Sequence, residues 1–390
     1  MKNTISFILC FLIISFFGGC KKDSESVSLS SKTFGGSVQK GPFQIGTSIT
    51  VNELDLNFAQ TGKSFSSQIT DNLGSFQINS IPLVSDYIAI RANGYYFNEV
   101  CGSNSSSQIT LDGISNIDEI SSVHLNILTH LEKLRVEYLL GTGLSFDLAK
   151  ATAQSEVLTI FNVSDSDIPN SEQLDISESG DGNAILLAVS AIIQGFRSES
   201  ELSSLLTSIS VDISTDGVLN DNAIKSSLID HAILLDTVSI RENIVDYYTS
   251  LGVTPSIPDF EPHIQNFINN TAFTLTNSLF QYPPTGTHGD NLLYKDQLNY
   301  TGSSFTMKAV LKECTHFKVR IQVLSGLYSY LGSTASNWII TPFSNQEQFF
   351  TIIDHSLPTD LRISGYGTFL IEYYELDSST ITFSKTITVN

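Results

Sequence analysis

The 390-residue chain reads as an α+β multidomain protein: a β-sandwich, a central all-α helical domain and a second, C-terminal β-sandwich of Ig-like size. Three observations predict this. Apolar residues make up 41% and charged residues 15%, too apolar and too weakly charged for a disordered chain and enough for several cores. The hydrophobic period changes from two to 3.6 near Ile114 and returns to two near Pro283. Charge partitions with the period. Residues 20–113 hold 6 basic and 8 acidic side chains, 114–275 hold 6 and 23, and 276–390 hold 7 and 9, which with Lys2 gives the net −20.

Over residues 34–113, short β-rich runs alternate apolar and polar positions: Gly36–Val38, Ser48–Leu54, Ser66–Thr70, Ser75–Ile78, Tyr87–Ala92 and Gln108–Leu111. Turn signals at Lys40-Gly41-Pro42 and Asp71-Asn72-Leu73-Gly74 separate them.

Residues 114–275 read as six or seven helices. Ile127, Leu131, Leu134 and Tyr138 share one face, and residues 147–161 form another helix. Ala184 to Phe196 is apolar nearly all round and is expected to be the buried central helix. Ser198 with Glu201, and Ser239 with Glu242, fit capping boxes. Pro262 suits the first turn of a last helix. Over residues 283–390, runs rich in Val, Ile, Thr, Tyr and Phe return: Ser304–Leu311, His316–Leu324, Asn337–Thr341, Phe349–Ile353, Gly367–Tyr374 and Thr380–Val389.

The first β segment resembles a known family. Gly36-Ser37-Val38, Gly46, Thr70-Asp71-Asn72-Leu73-Gly74-Ser75-Phe76 and Ile88 to Tyr96 together look like the carboxypeptidase regulatory-like module. The resemblance implies a transthyretin-like (prealbumin-like) sandwich with a folding, stabilising or recognition role and no catalytic residues. In the Asp-x-x-Gly-x-Phe element, Asp and Gly would form the turn and Phe would return to the core.

The first twenty residues resemble the signal of a bacterial lipoprotein. Lys2 is followed by the uncharged run Ile5–Phe17, whose 13 residues suit a signal h-region and fall short of the ~20 needed to span a bilayer. Gly18, Gly19 and Cys20 then match a lipobox, with Phe17 where the family has Leu. Residues 1–19 are therefore expected to be cleaved, Cys20 to carry lipid, and residues 20–33 to be a Ser-rich tether. Lys21-Lys22-Asp23 lack the Asp that directly follows Cys20 in inner-membrane lipoproteins, which points to the outer membrane or cell surface. That leaves Cys101 and Cys314, expected to be two separate buried thiols, with a bridge the alternative in an oxidising compartment.

The acidic balance excludes nucleic acid as a partner. No His-Glu-x-x-His or Gly-x-Ser-x-Gly motif is present. His124 and His130 lie six apart around a helix start, which suits local hydrogen bonding. His130, His231 and His263 could meet only through the fold. Gly62-Lys63-Ser64 has Asn57 where a P-loop needs Gly, and reads as a β-turn.

One loop resembles a calcium site. Asp212, Ser214, Asp216 and Asn220, with Gly217 and Leu219, match the first nine positions of an EF-hand loop, but Ala223 stands where the bidentate carboxylate belongs. Calcium is the one cofactor that this pattern suggests, and a polar turn before a helix capped by Asn220 or Asp221 is the competing reading. Residues 175–183 form a second acidic loop with poorer spacing. The function expected from these features is a lipid-anchored, non-catalytic module binding an envelope protein, peptide or glycan. The alternative is a hydrolase that uses carboxylates from separate helices; a purely structural spacer is a third reading.

Overall fold

The computed structural model describes residues 30–118, 122–164 and 167–275, together with the backbone of strands at 279–282, 304–311, 317–332, 347–352, 359–375 and 381–389. An N-terminal β-sheet region precedes seven α-helices among these residues, an α+β arrangement.

The sheet region contains β1 (Ser30–Gln39), β2 (Ser48–Leu54), β3 (Gln60–Gln68), β4 (Ser75–Leu83), β5 (Tyr87–Gly94), β6 (Phe97–Asn98), β7 (Ser103–Asn104), β8 (Ile109–Asn116) and β9 (Leu125–Asn126). The orders are β4-β1-β9 and β3-β2-β5-β8, with β6 and β7 as a short ladder. Within these two sheets the β1–β9 pair is parallel, with Val38 opposite Leu125, and the other strand pairs are antiparallel. In β2 the alternation buries Ile49 and Val51 completely.

The Asp71 turn forms as its residues predict. Asp71 Oδ1 accepts from the amides of Leu73 and Ser75, Gly74 takes φ of +82°, and Phe76 is buried. Gly62-Lys63-Ser64, expected as a turn, instead lies inside β3. Gly36 lets the connector before α1 lie directly on β1, because a Cβ there would overlap the Val123 carbonyl.

The helices are α1 (Ile127–Gly141), α2 (Phe146–Ile160), α3 (Asp181–Gln194), α4 (Glu199–Asp212), α5 (Asn222–Ala232), α6 (Thr237–Ser250) and α7 (Glu261–Asn270). Ser198 and Glu201 form the predicted capping box of α4. Ser239 does not cap α6. The helix starts three residues earlier in the motif, where Asp236 accepts from the Ser239 amide and supplies the cap. The apolar α3 is buried almost throughout, as its composition predicts.

In α1 the buried face differs from the expected one. Tyr138 is exposed and Leu134 half-buried, while Glu132 and Arg135 point inward. The reason is charge pairing: Lys150 and Glu156 on α2 supply the partners that let these two residues be buried.

One hydrophobic core runs from Phe34 and Ile49 in the sheets through Leu187 on α3 to Phe267 on α7. A second cluster joins Leu54 and Ile114 to Val136 and Phe146. Both cores contain strands and helices together. Phe58, at the β2–β3 tip with φ of 61°, packs its ring against Tyr87 and Phe146 and so ties that hairpin to α2.

Lys40 and Glu99 form an ion pair of 2.6 Å with both side chains fully buried, at the meeting of the sheets and α3. Ser190 on α3 donates to Glu99 Oε1 at 2.9 Å and to the Lys40 carbonyl. Burial pushes the Lys40 ammonium down from its usual range, against the pull of Glu99.

The expectation of separate buried thiols is corrected at Cys101, which is disulfide-bonded. The other three cysteines, Cys10, Cys20 and Cys314, lie outside the described residues. Towards the C-terminus, β10 (Leu279–Tyr282), β11 (Ser304–Leu311), β12 (Phe317–Gly332), β13 (Glu347–Ile352), β14 (Thr359–Glu375) and β15 (Ile381–Val389) pair into one sheet. Strand β14 pairs with β12 on one edge and with β11 and β15 on the other. The expected strand Asn337–Thr341 lies outside the described residues.

Removing one member of the buried ion pair strands the other. Lys40→Met is expected to lower unfolding stability in urea by about 3–5 kcal/mol. The double change Lys40→Met with Glu99→Leu is expected to recover most of that loss.

Candidate functional site

Chemistry-bearing side chains collect at the seam between sheets and helices. Ser37 comes from β1, His124 from the connector between β8 and β9, and Asp175 from the loop before α3. Ser37 Oγ lies 2.7 Å from His124 Nδ1 and 3.4 Å from Asp175 Oδ2. His124 Nδ1 is 3.8 Å from Asp175 Oδ2, and Nε2 is 3.1 Å from the hydroxyl of the exposed Ser122. Gln39 Nε2 and the Ser177 amide each donate to Asp175 Oδ1 at 2.8 Å, as does Ser177 Oγ at 2.6 Å.

These are the residue types of a nucleophilic triad, but the protons are placed otherwise. The Ser37 backbone N–H donates to His124 Nδ1 at 3.2 Å, so that nitrogen is unprotonated and the ring hydrogen sits on Nε2. His124 therefore donates to Ser122. A triad needs its hydroxyl on one ring nitrogen and its carboxylate on the other; here Ser37 Oγ and Asp175 both lie on the Nδ1 side, and Nε2 meets Ser122. Burial lowers the pKa of His124, opposed by Asp175 and Glu178, which keeps the ring neutral. The cluster binds β1 to the helical layer. No fixed spacing in the sequence announces it, because its members come from three separate elements.

The helical carboxylates that converge are also structural. Lys150 Nζ lies 2.9 Å from Glu132 Oε2 and 2.9 Å from Glu172 Oε2, and Ser171 Oγ donates to Glu132. All four side chains are buried. Burial raises the Glu132 pKa; it would also depress Lys150, but the two glutamates outweigh it and hold the ammonium above its usual range. Arg197 is buried and donates to the carbonyls of Ile192 and Ile193 at the end of α3 and to Ser227 on α5. Burial pushes its pKa down to about 9 against Glu201 and Asp230.

His130, His231 and His263 do not meet. His130 Nδ1 accepts the Asp112 amide at 3.0 Å, His231 Nδ1 accepts the Phe196 amide at 3.0 Å, and His263 Nε2 lies 2.9 Å from Asp181 Oδ1. Among the described residues no three His, Cys, Asp or Glu side chains gather as a metal-ligand set.

The calcium-like loop turns its oxygens onto itself. Asp212 Oδ2 accepts from the amides of Asn220 and Asp221, Asp216 Oδ1 from the Val218 amide, and Asp216 Oδ2 from Asn220 Nδ2. Ser214 Oγ donates back to the Val211 carbonyl. Asp221 caps α5 through the amides of Ala223 and Ile224. In the second acidic loop, Asp175 joins the seam cluster and Asp181 meets His263.

Comparison with protein-family models, with curated proteins and with solved structures finds no match to the chain.

Because the Asp212 loop is closed by its own amides, millimolar calcium is expected to leave the melting temperature unchanged. Asp212→Ala strips the acceptor from two backbone amides and is expected to cost about 1 kcal/mol in urea unfolding. A calcium-dependent rise of the melting temperature that Asp216→Ala abolishes would reverse this assignment.

Proposed function

We propose that the chain is a lipid-anchored, non-catalytic binding or assembly module of the bacterial envelope, at the outer membrane or cell surface. Its ligand class would be a glycan, protein or peptide. The observation that carries this reading is the apolar run Ile5–Phe17 followed by Gly18, Gly19 and Cys20, with β1 beginning at Ser30, ten residues on. An acyl chain contributes ~0.8 kcal/mol per buried CH₂, so an acylated Cys20 would hold the folded body at a bilayer. Among the described residues no helix is long and apolar enough to cross a membrane. The disulfide at Cys101 fits an exported protein, since such bonds persist in oxidising compartments.

Two further observations support a module without chemistry of its own. Asp175 lies on the same side of the His124 ring as Ser37 and not on the opposite nitrogen, and the converging Glu132 and Glu172 are spent on Lys150. A carboxylate-dependent hydrolase would need a pair free to exchange protons with its substrate. We further read the N-terminal sheets as a carboxypeptidase regulatory-like, transthyretin-like sandwich, on the Asp71–Phe76 turn and the two small, mostly antiparallel sheets. The C-terminal strands are read as Ig-like on their composition and on the antiparallel pairing of β11 to β15, to which β10 adds one parallel pair.

Mass spectrometry of the protein from membranes is expected to find a mature N-terminus at an acylated Cys20, and Cys20→Ala should move the protein to the aqueous phase on detergent partition. An unmodified N-terminus would contradict the anchor. Glycan and peptide binding screens on the mature chain address the ligand. Hydrolase activity lost on a single change in the helical region would overturn the non-catalytic reading.

The same reading makes a second demand. If Cys10 leaves with the signal and Cys20 carries lipid, Cys314 is the cysteine left to bridge Cys101. A non-reducing peptide map should show that link, whereas a Cys20–Cys101 peptide would rule out acylation of Cys20.

A further inference from the structure

We propose that the start of α1 is an acid-releasable clasp, in which proton uptake by His124 and His130 frees α1 and its connector from the two sheets that they join. The two rings do the same thing in different sheets. His124 Nδ1 accepts the Ser37 amide of β1 at 3.2 Å. His130 Nδ1 accepts the Asp112 amide of β8 at 3.0 Å. Strand β1 belongs to the β4-β1-β9 sheet and β8 to the β3-β2-β5-β8 sheet, so one short stretch of chain holds both.

An imidazole accepts only while neutral. Once charged, both nitrogens carry hydrogen, and each strand amide faces a donor. The loss falls on two part-buried strand amides, each of which gives up its protein acceptor.

The charged surroundings decide whether the rings can simply take the proton and stay. Around His124 the facing groups are Asp175, 3.8 Å from Nδ1, and Glu178, both on the loop before α3. Asp175 Oδ1 accepts from Gln39 and Ser177, and Oδ2, the oxygen nearer the ring, takes Ser37 Oγ at 3.4 Å. Around His130 they are Asp112 on β8, Arg91 on β5 and Lys133 on α1 itself. The Asp112 carboxylate is occupied by a two-pronged contact with Arg91 at 2.7 and 3.2 Å, and Arg91 and Lys133 both oppose a charged ring.

Burial lowers both histidines, with His130 brought down to about 4 from its usual 6.5. Folded values below the open-state value mean that the closed clasp binds fewer protons than the open one. Its stabilisation is complete above about pH 6.5 and is lost as the pH falls through that value toward about 4.

Hydrogen exchange on the mature chain at about pH 7 and about pH 5, corrected for intrinsic rates, tests this. Protection of the peptides carrying Ser37 and Asp112 is expected to fall roughly tenfold or more relative to α3 at the lower pH. In the double variant His124→Asn with His130→Asn, a side-chain carbonyl replaces each Nδ1 and does not titrate, so the acid-specific loss should disappear. Unchanged wild-type protection, a fall shared equally by α3, or a loss that persists in the double variant would each overturn the proposal. Should that variant lose its helical circular dichroism at neutral pH, ring ¹³C titration of the wild type decides. Ring protonation coinciding with loss of the Ser37 and Asp112 amide protection supports the clasp, and ring protonation with both amides still protected overturns it.

Discussion

A lysine ammonium without access to water sits where the sheets meet the helices, and satisfying it constrains much of what surrounds it. Lys40 follows the end of β1, Glu99 lies in the turn between β6 and β7, and Ser190 is on α3. Their contacts hold only if the β6–β7 turn and the central helix reach the same point. Asn243 on α6 adds to this by donating to the Glu99 carbonyl, and Tyr96 places its ring beneath the ammonium at 5.3 Å. A buried pair of this kind adds little net stability over apolar residues, but it penalises every arrangement that separates its members.

The same economy governs the helical region, where 6 basic residues meet 23 acidic ones. Lys150 holds two glutamates, Arg135 holds Glu156, Arg241 holds Glu261, and Arg197 closes the end of α3 on backbone carbonyls. Arg135, Lys150 and Arg197 thus stand where burial makes a cation most consequential, and many of the acids face solvent. The polar residues that could suggest catalysis, Ser37, His124 and Asp175, follow the same logic: each is spent on joining β1 to what packs over it.

Much of the architecture was legible in the sequence because it depends on local period and turn chemistry. The largely apolar α3, the Ser198–Glu201 box, the Asp71 turn and the cap of α5, read as Asn220 or Asp221 and formed by Asp221, are short-range patterns whose physics is complete within a few residues. The misread features depend on distant partners. Glu132 and Arg135 turn inward only because α2 supplies Lys150 and Glu156. The Asp236 cap displaced the Ser239 box because two good caps competed three residues apart. Gly62 reads as a turn until β2 pairs alongside it. The seam cluster joins residues separated by up to 138 positions, and no local pattern can encode that.

The central claim is that sheets and helices are one cooperative body held by buried polar ties, with those ties used for structure. Hydrogen exchange of the mature chain at neutral pH across a denaturant series measures this directly. The account predicts that the slowest amides of β1, β2 and α3 merge onto a single opening isotherm as denaturant rises. Two separate isotherms, one for the strands and one for the helices, would contradict it.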